Sequence, residues 1–196
     1  MTIRQNALDR RAFLGGVAAL GAGAFGRTAL AAEETFNIGD LEVSTKSMNH
    51  PIRVLAFKFR QKGKTLIYTG DNEPYYDVLA ERARPMDTGI HRRSEFIKEC
   101  NQRVVDFCRG ADMLIADSQY TDQEYETKRG WGHSSISHVL NLSQESSVKK
   151  LILFHHEPTH DDKVLEKIER QARARGRKMK GKFKVIGARE GMVLDV

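Results

Sequence analysis

Two aspartates and a histidine stand where apolar stretches of the sequence end. Asp71 and Asp117 each close a run rich in aliphatic residues, and His155 follows the run Lys149–Phe154. Each run has the length and composition of a buried strand. In a layered α/β domain, strand ends pass into loops that face solvent, so side chains there can contact a ligand. A single such aspartate is explained as well by the start of a turn, but three strand ends of this kind predict a ligand site.

Periodicity predicts the elements that must position these side chains. A tight turn at residues 61–64 joins a strand to the one that ends near Asp71. Hairpin strands first and alternating helices and strands afterwards predict an α/β domain with a mixed sheet. The predicted strands are Leu41–Ser47, Arg53–Phe59, Lys64–Gly70, Asp112–Asp117, Lys149–Phe154 and Phe183–Ile186. The predicted helices follow the caps Ser94 and Ser134, and a last one runs from Val164 to a stop at Gly176, with Phe96 and Val164 among the buried residues.

Residues 1–32 have the pattern of an export signal, which leaves residues 33–196 as the predicted folded domain. Arg10-Arg11-Ala12-Phe13-Leu14 resembles the twin-arginine export motif, and Ala29-Leu30-Ala31 has the small residues of a cleavage site. The apolar run between them is too short to span a bilayer. We therefore expect an exported protein, periplasmic or secreted, without a stable membrane span. A leader that stays attached as a membrane anchor is the alternative.

The formal net charge of +6 comes largely from one segment. Residues 163–184 contain ten Lys or Arg against two Glu, which allows binding to nucleic acid or another anionic surface. Phe183 is the only aromatic residue of this run, so base stacking there is not indicated, and a solvated helix end is favoured over nucleic-acid binding. Cys100 and Cys108 are eight residues apart on one predicted helix, about 12 Å, which is too far for a disulfide.

Five short segments, in this order, resemble a known family. They are Asn49-His50-Pro51, Thr69-Gly70-Asp71-Asn72, Leu114-Ile115-Ala116-Asp117, Gly132-His133-Ser134-Ser135 and Leu153-Phe154-His155-His156. From about Phe36 to the C-terminus, the chain resembles the second half of a metallo-β-lactamase-fold hydrolase, particularly the phosphodiesterase and tRNA-maturing endonuclease branch. The resemblance implies half of an αββα sandwich and a metal-dependent hydrolase that acts on a phosphodiester or ester, with a small-molecule or phosphodiester substrate.

The resemblance also implies a role for each site residue. His50 would bind one zinc ion and His155 a second, with Asp71 bridging the two. His133 would protonate the leaving group, and Asp117 stands where the tRNA-maturing branch has a glutamate that orients this histidine. Imidazole and carboxylate ligands suit zinc, with manganese and iron as alternatives.

The sequence departs from this family at its main metal-binding signature. The run His-x-His-x-Asp-His occurs nowhere in the 196 residues, so each of two metals would keep two protein ligands where catalytic zinc normally has three. One ion held by His50, Asp71 and His155 together is a second arrangement. Two alternative functions follow: a truncated, non-catalytic half domain that needs a homodimer or another partner for the missing ligands and leaves apolar surface exposed, or an exported binding protein that uses the basic segment.

Overall fold

The structure is a computed structural model that describes residues 33–76, 90–181 and 183–196, with the backbone alone for residues 90–93. The predicted export signal, residues 1–32, lies outside the described residues, as does part of the irregular segment that follows Asn72. No helix in the described part of the chain is both long enough and apolar enough to cross a membrane.

The described residues form seven strands and four helices. The strands are β1 (Thr35–Ile38), β2 (Leu41–Ser47), β3 (Leu55–Gln61), β4 (Lys64–Tyr68), β5 (Met113–Asp117), β6 (Lys150–Phe154) and β7 (Lys184–Gly187); the helices are α1 (Ile90–Cys108), α2 (Asp122–Lys128), α3 (Ile136–Glu145) and α4 (Asp162–Lys178).

The strands form one mixed sheet in which the spatial order follows the chain, from β1 to β7. β1 to β4 are antiparallel, and the β3–β4 hairpin turns through Lys62 and Gly63, both at positive φ, which matches the right-handed twist of the strands. β4 to β7 are parallel. The carboxyl ends of β4, β5 and β6 therefore lie at one edge of the sheet, and the predicted α/β fold class with a mixed sheet is confirmed.

The main core lies between one face of the sheet and the helices. Alternate residues of the strands point to this face, so Ile67, Leu114 and Leu151 are buried there. They pack with Cys108 of α1 and with other apolar side chains of α1, α3 and α4. Because successive side chains of a strand point to opposite faces, the residues between these core positions point to the other face of the sheet.

The other face of the sheet has a smaller apolar cluster in which no described helix takes part. Leu66, Met113 and Ile152 pack there against the C-terminal segment, which contributes Leu194 and Val196. Towards the edge where β4 and β6 end, aromatic rings continue this surface: the rings of Tyr68 and Phe154 meet edge to face with centroids 5.9 Å apart, and Phe154 is exposed.

Four of the predicted helix boundaries differ from the structure. Two differ slightly: α3 follows the N-cap Ser135 and not Ser134, and α4 begins at Asp162 and not at Val164. α1 begins at Ile90 and not after Ser94, and Phe96, expected inside, is 59% exposed. α4 continues past Gly176 to Lys178, because this glycine provides close packing and not a helix stop. A Cβ at Gly176 would lie 3.0 Å from Val185 Cγ2 of β7, so the helix approaches the sheet as closely as a glycine allows.

One apolar side chain of α4 differs from the prediction in its exposure, whereas the cysteines of α1 agree with it. Val164 lies on the exposed side of the first turn of α4. Cys100 and Cys108 are both free, as expected, and burial raises the pKa of the Cys108 thiol to about 12.

Candidate functional site

Asp71 and His155 meet at the edge of the sheet where β4 and β6 end. Asp71 lies three residues beyond β4, and its Oδ1 is 3.7 Å from Nδ1 of His155, which directly follows β6. Between the strand and this aspartate, Gly70 has φ +62°, and a Cβ there would lie 2.7 Å from Val54 Cγ1. The chain therefore passes so close to the β2–β3 connection that a side chain at Gly70 would collide with it. The predicted clustering of strand ends at one edge is confirmed.

His50 reaches the same point from the loop between β2 and β3. Its Nε2 lies 4.0 Å from Oδ2 of Asp71, and the ring is almost buried. Its other nitrogen, Nδ1, lies 3.1 Å from the carbonyl oxygen of Ile52. The backbone N–H of Ile52 also lies 3.3 Å from Nδ1, so Ile52 holds the ring in either tautomer. In the tautomer with the proton on Nδ1, donated to the carbonyl, the lone pair of Nε2 points towards Asp71, and a backbone partner of this kind is typical of metal-binding histidines.

His133 and Asp117 form a hydrogen-bonded pair beside these residues. Nδ1 of His133 lies 2.9 Å from Oδ2 of Asp117. The aspartate is buried and also accepts hydrogen bonds from the backbone N–H groups of Asn72 and Gln119. The hydrogen bond to Asp117 raises the pKa of His133 against the opposing effect of burial. The His133 ring stacks on His155, with centroids 4.8 Å apart.

Glu73 is a site residue that the sequence analysis missed. Its buried carboxylate accepts hydrogen bonds from the Tyr125 hydroxyl and the Gly130 N–H on Oε1, and from the Gly132 N–H on Oε2. Burial and the bond to Glu73 raise the pKa of the Tyr125 phenol. The carboxylate thus fixes the loop that carries His133. The position of Glu73, two residues after Asp71, could have identified it as a site residue. The surrounding segment has no periodicity, so the sequence did not predict which of its side chains are buried.

Gly132 brings the His133 loop into contact with His50. A Cβ at this position would lie 2.3 Å from Cδ2 of the His50 ring and 2.5 Å from Cδ of Pro51, and φ is +95°. A residue with a side chain could adopt neither this backbone conformation nor this distance without strain. The backbone of Gly132 in one loop therefore packs directly against the His50 ring of the other.

The donor set fits a metal ion. Ligand atoms of His50, Asp71 and His133 all lie within 4.8 Å of one another, and Nδ1 of His155 is 3.7 Å from Asp71. Imidazole and carboxylate groups are the ligand types that zinc prefers in catalytic sites, and two imidazoles and one carboxylate form the clustered group. The clustered group contains His133 and not His155, so the assignment of His155 to the metal and of His133 to proton transfer stays a prediction.

Two further histidines of the same segment have other partners. Nε2 of His156 lies 3.2 Å from the carbonyl oxygen of Ala188, and Nε2 of His160 lies 2.7 Å from a carboxylate oxygen of Glu124. Neither belongs to the group of possible metal ligands found among the described residues, so they are not assigned as replacements for the absent His-x-His-x-Asp-His run.

Comparisons with known proteins agree with this fold. Ribonuclease Z of Saccharolobus solfataricus is 38% identical over 104 residues, 52% of this chain and 33% of that protein. Ribonuclease Z of Brevibacillus brevis is 24% identical over 102 residues, 52% of this chain and 24% of that protein. The metallo-β-lactamase fold protein YhfI from Bacillus subtilis superimposes with a TM-score of 0.58 at 17% identity, over 85% of this chain and 54% of its own. No family model matches the sequence.

The chain therefore has a metallo-β-lactamase-like fold. Its similarity to the two ribonuclease Z chains covers a quarter to a third of their length, 24% and 33%. The solved structure likewise contains a large part that has no counterpart here. The half-sandwich predicted from the five segments agrees with these overlaps.

Proposed function

We propose that the protein is a metal-dependent hydrolase that acts on a phosphodiester bond. One observation carries the proposal: His50, Asp71 and His155 converge beside the hydrogen-bonded pair His133–Asp117 at one edge of the sheet. Similarity to proteins named ribonuclease Z supports a phosphodiester over other esters. The alternatives, a non-catalytic half domain and an exported binding protein, have no comparable support from these relatives.

In this proposal, His50, Asp71 and His155 hold the metal. When bound, zinc supplies Lewis-acid activation of water and of the phosphoryl oxygen at neutral pH. The chain's own contribution is the geometry of the ligands: the Ile52 carbonyl oxygen fixes the His50 ring, and the Gly132 backbone packs against it. Both contacts leave Nε2 of His50 directed at Asp71.

His133 acts in the proposal as the proton donor to the leaving oxygen. Its Nδ1–H donates to the buried carboxylate of Asp117, which fixes the ring and leaves Nε2 free to carry the transferred proton. Because the bond to Asp117 raises the pKa of His133, the protonated form is favoured nearer to neutral pH, as a general acid requires. The carboxylate of Asp117 is buried, and its hydrogen bonds join it to His133 and to the backbone N–H groups of Asn72 and Gln119, so it is a positioning residue.

Metal content tests the proposal without assuming activity. We expect the purified chain, after dialysis against zinc, to retain a stoichiometric amount measured by mass spectrometry, and Asp71→Asn to lose it because the shared carboxylate is removed. Asp40→Asn, in the exposed β1–β2 turn, is the matched control and should bind as the wild type does. Wild-type protein that stays metal-free, or an Asp71→Asn variant that retains all its zinc, would refute the assignment.

Hydrolysis of an activated phosphodiester by the zinc-loaded chain then tests the reaction itself. His133→Ala should bind zinc but lower kcat by a factor of roughly 100 or more, as expected for loss of a general acid. Export remains a separate proposal that rests on Arg10–Leu14 and Ala29–Ala31, and an N-terminus of the exported protein near Ala32 would support it.

A further inference from the structure

Trp131 is exposed beside the candidate site although large aromatic residues are usually buried. It is 57% exposed and is the only tryptophan of the chain. It lies two residues before His133, so the Cα atoms of the two residues are at most about 7 Å apart. The next residue, Gly132, contacts the His50 ring. The indole is therefore at the rim of the site.

The backbone around Trp131 is fixed by a buried group. Gly130 and Gly132, on either side of it, have positive φ, and both donate their N–H groups to the carboxylate of Glu73, at 2.8 and 2.9 Å. The Trp131 N–H donates to the carbonyl oxygen of Lys128. All three backbone donors have partners within the protein, so the main chain of the loop is held in the conformation that exposes the indole.

A lysine covers one face of the indole. Nζ of Lys128 lies 4.1 Å from the centroid of the Trp131 ring and 5.9 Å from that of Tyr120. The Tyr120 ring meets His133 edge to face, with centroids 6.0 Å apart. Although Lys128 lies over the ring, more than half of the residue is exposed, so the indole retains accessible surface for a planar ligand.

From this arrangement we propose that Trp131 is a stacking platform for a nucleobase next to the phosphodiester, and that Lys128 contacts an adjacent phosphate. An indole face accepts any base because each base has a π-face, and a nearby ammonium suits the backbone of a single strand. The proposal builds on the proposed function, since it names the base-bearing substrate that the same site would take. It places base recognition at this rim and not in the basic segment 163–184.

The single tryptophan makes the contact observable by fluorescence without turnover. We expect a single-stranded uridine octamer to quench the emission of the metal-free, full-length wild-type protein. An abasic octamer of the same charge should bind through its phosphates and quench little. Uridine monophosphate, added at the same concentration as the octamer, distinguishes a free nucleotide from a strand. Quenching equal to that by the octamer would assign the site to a mononucleotide, and weaker quenching would assign it to a strand.

Affinities of variants for a dye-labelled octamer, measured by anisotropy, complete the test. Trp131→Ala should weaken binding about tenfold, since each base stacked on an aromatic ring contributes roughly a factor of 5–100. Trp131→Phe should stay within about threefold of wild type. Phe96→Ala removes an exposed aromatic residue of α1 and should change nothing.

Three results would overturn the proposal: no binding of the octamer to wild type, equal affinity of wild type and Trp131→Ala, or equal quenching by the abasic strand. Because the protein is metal-free and no bond is cleaved, these results are independent of the zinc and hydrolysis measurements. If the chain binds the octamer through Trp131 but never binds zinc, the stacking site is supported and the proposed hydrolase function is refuted.

Discussion

Individual contacts hold the two loops of the site together. Gly132 lies against the His50 ring, and Glu73 holds the N–H groups of Gly130 and Gly132. Neither Gly132 nor Glu73 carries a proposed catalytic role. Each helps to set the distance between His50 and His133, whose ring centroids are 5.3 Å apart. Sites of this kind depend on distances accurate to about 0.5 Å.

We predict that Gly132→Ala separates these loops and weakens zinc binding. The new Cβ would lie 2.3 Å from His50 Cδ2, so the ring must move away from Asp71. Zinc affinity measured by competition with a chelating dye should fall by a factor of 10 or more, by analogy with the loss of a supporting contact.

Gly191→Ala is the control for backbone strain. Gly191 has φ +75°, and a Cβ there would meet nothing within 4 Å. It should lower stability by about 1 kcal/mol and leave zinc affinity unchanged. Equal zinc affinities of both variants would mean that the contact with His50 is irrelevant to the ligand geometry.

We predict that Glu73→Gln destabilises the fold and loosens the loop of His133. Its amide nitrogen cannot accept a hydrogen bond, so at least one of the three donors from Tyr125, Gly130 and Gly132 loses its acceptor. A buried donor left without a partner costs about 1–3 kcal/mol. Urea unfolding should show this loss, and an exposed substitution such as Glu126→Gln should not.

At the scale of elements, α2, α3 and α4 are tied together by one carboxylate. Asp122 is the first residue of α2, and it accepts hydrogen bonds from the N–H of Ser137 in the first turn of α3 and from the guanidinium of Arg175 in α4. Partial burial alone would raise the pKa of Asp122, but the hydrogen bonds from Ser137 and Arg175 outweigh it and lower the pKa to about 2. The link is therefore formed by the ionised carboxylate.

We predict that this link stabilises the protein at neutral pH and is lost in acid. The folded pKa lies below the unfolded value of about 3.9, so the contribution is fully present above pH 4 and disappears as pH falls towards 2. Asp122→Asn should cost about 1 kcal/mol at pH 7, reduced by solvent screening of this half-exposed group, and much less near pH 2.

Asp162→Asn provides the comparison, because Asp162 is the first residue of α4 as Asp122 is of α2. No hydrogen bond joins it to another helix within the described ranges. Denaturant unfolding at several pH values should show a pH-dependent difference from wild type for Asp122→Asn that Asp162→Asn lacks. A constant difference between pH 7 and pH 2 would show that the charge of Asp122 has no part in the link.

At the scale of the whole molecule, the two faces of the sheet differ. Helices α1, α3 and α4 cover one face. In the described part of the chain, the other face of the sheet is covered only by the C-terminal segment that contains Leu194 and Val196. The rings of Phe57 and Phe59 stack there with centroids 6.1 Å apart, and this surface continues through Tyr68 to Phe154. Such a surface is typical of an interaction site.

We predict that residues 33–196 self-associate through this face. Replacing Phe57 by threonine, which keeps β propensity, should shift sedimentation towards the monomer because it removes apolar area from the contact. Phe96→Gln changes an exposed phenylalanine on the helical side and should leave the distribution as it was. A wild-type chain that is monomeric at all concentrations and binds no apolar dye would contradict this expectation.

The sequence by itself determined the fold class and the neighbourhood of the site. Runs that end at Asp71, Asp117 and His155 indicated buried strands, and parallel strands must bring their carboxyl ends to one edge. The order of strands β2 to β7 was equally legible, because the period of side-chain exposure depends on local geometry, but the short strand β1, Thr35–Ile38, was not predicted.

Only the tertiary structure decided how the loops meet. The roles of Glu73, Gly132 and Gly176 arise from contacts between segments distant in the chain, and neither periodicity nor composition encodes such contacts. Gly176 shows the difference: its residue type suggested a helix end, but close packing of α4 on β7 required a glycine inside the helix. The exposure of Trp131 likewise follows from where Glu73 holds its loop, which no local pattern specifies.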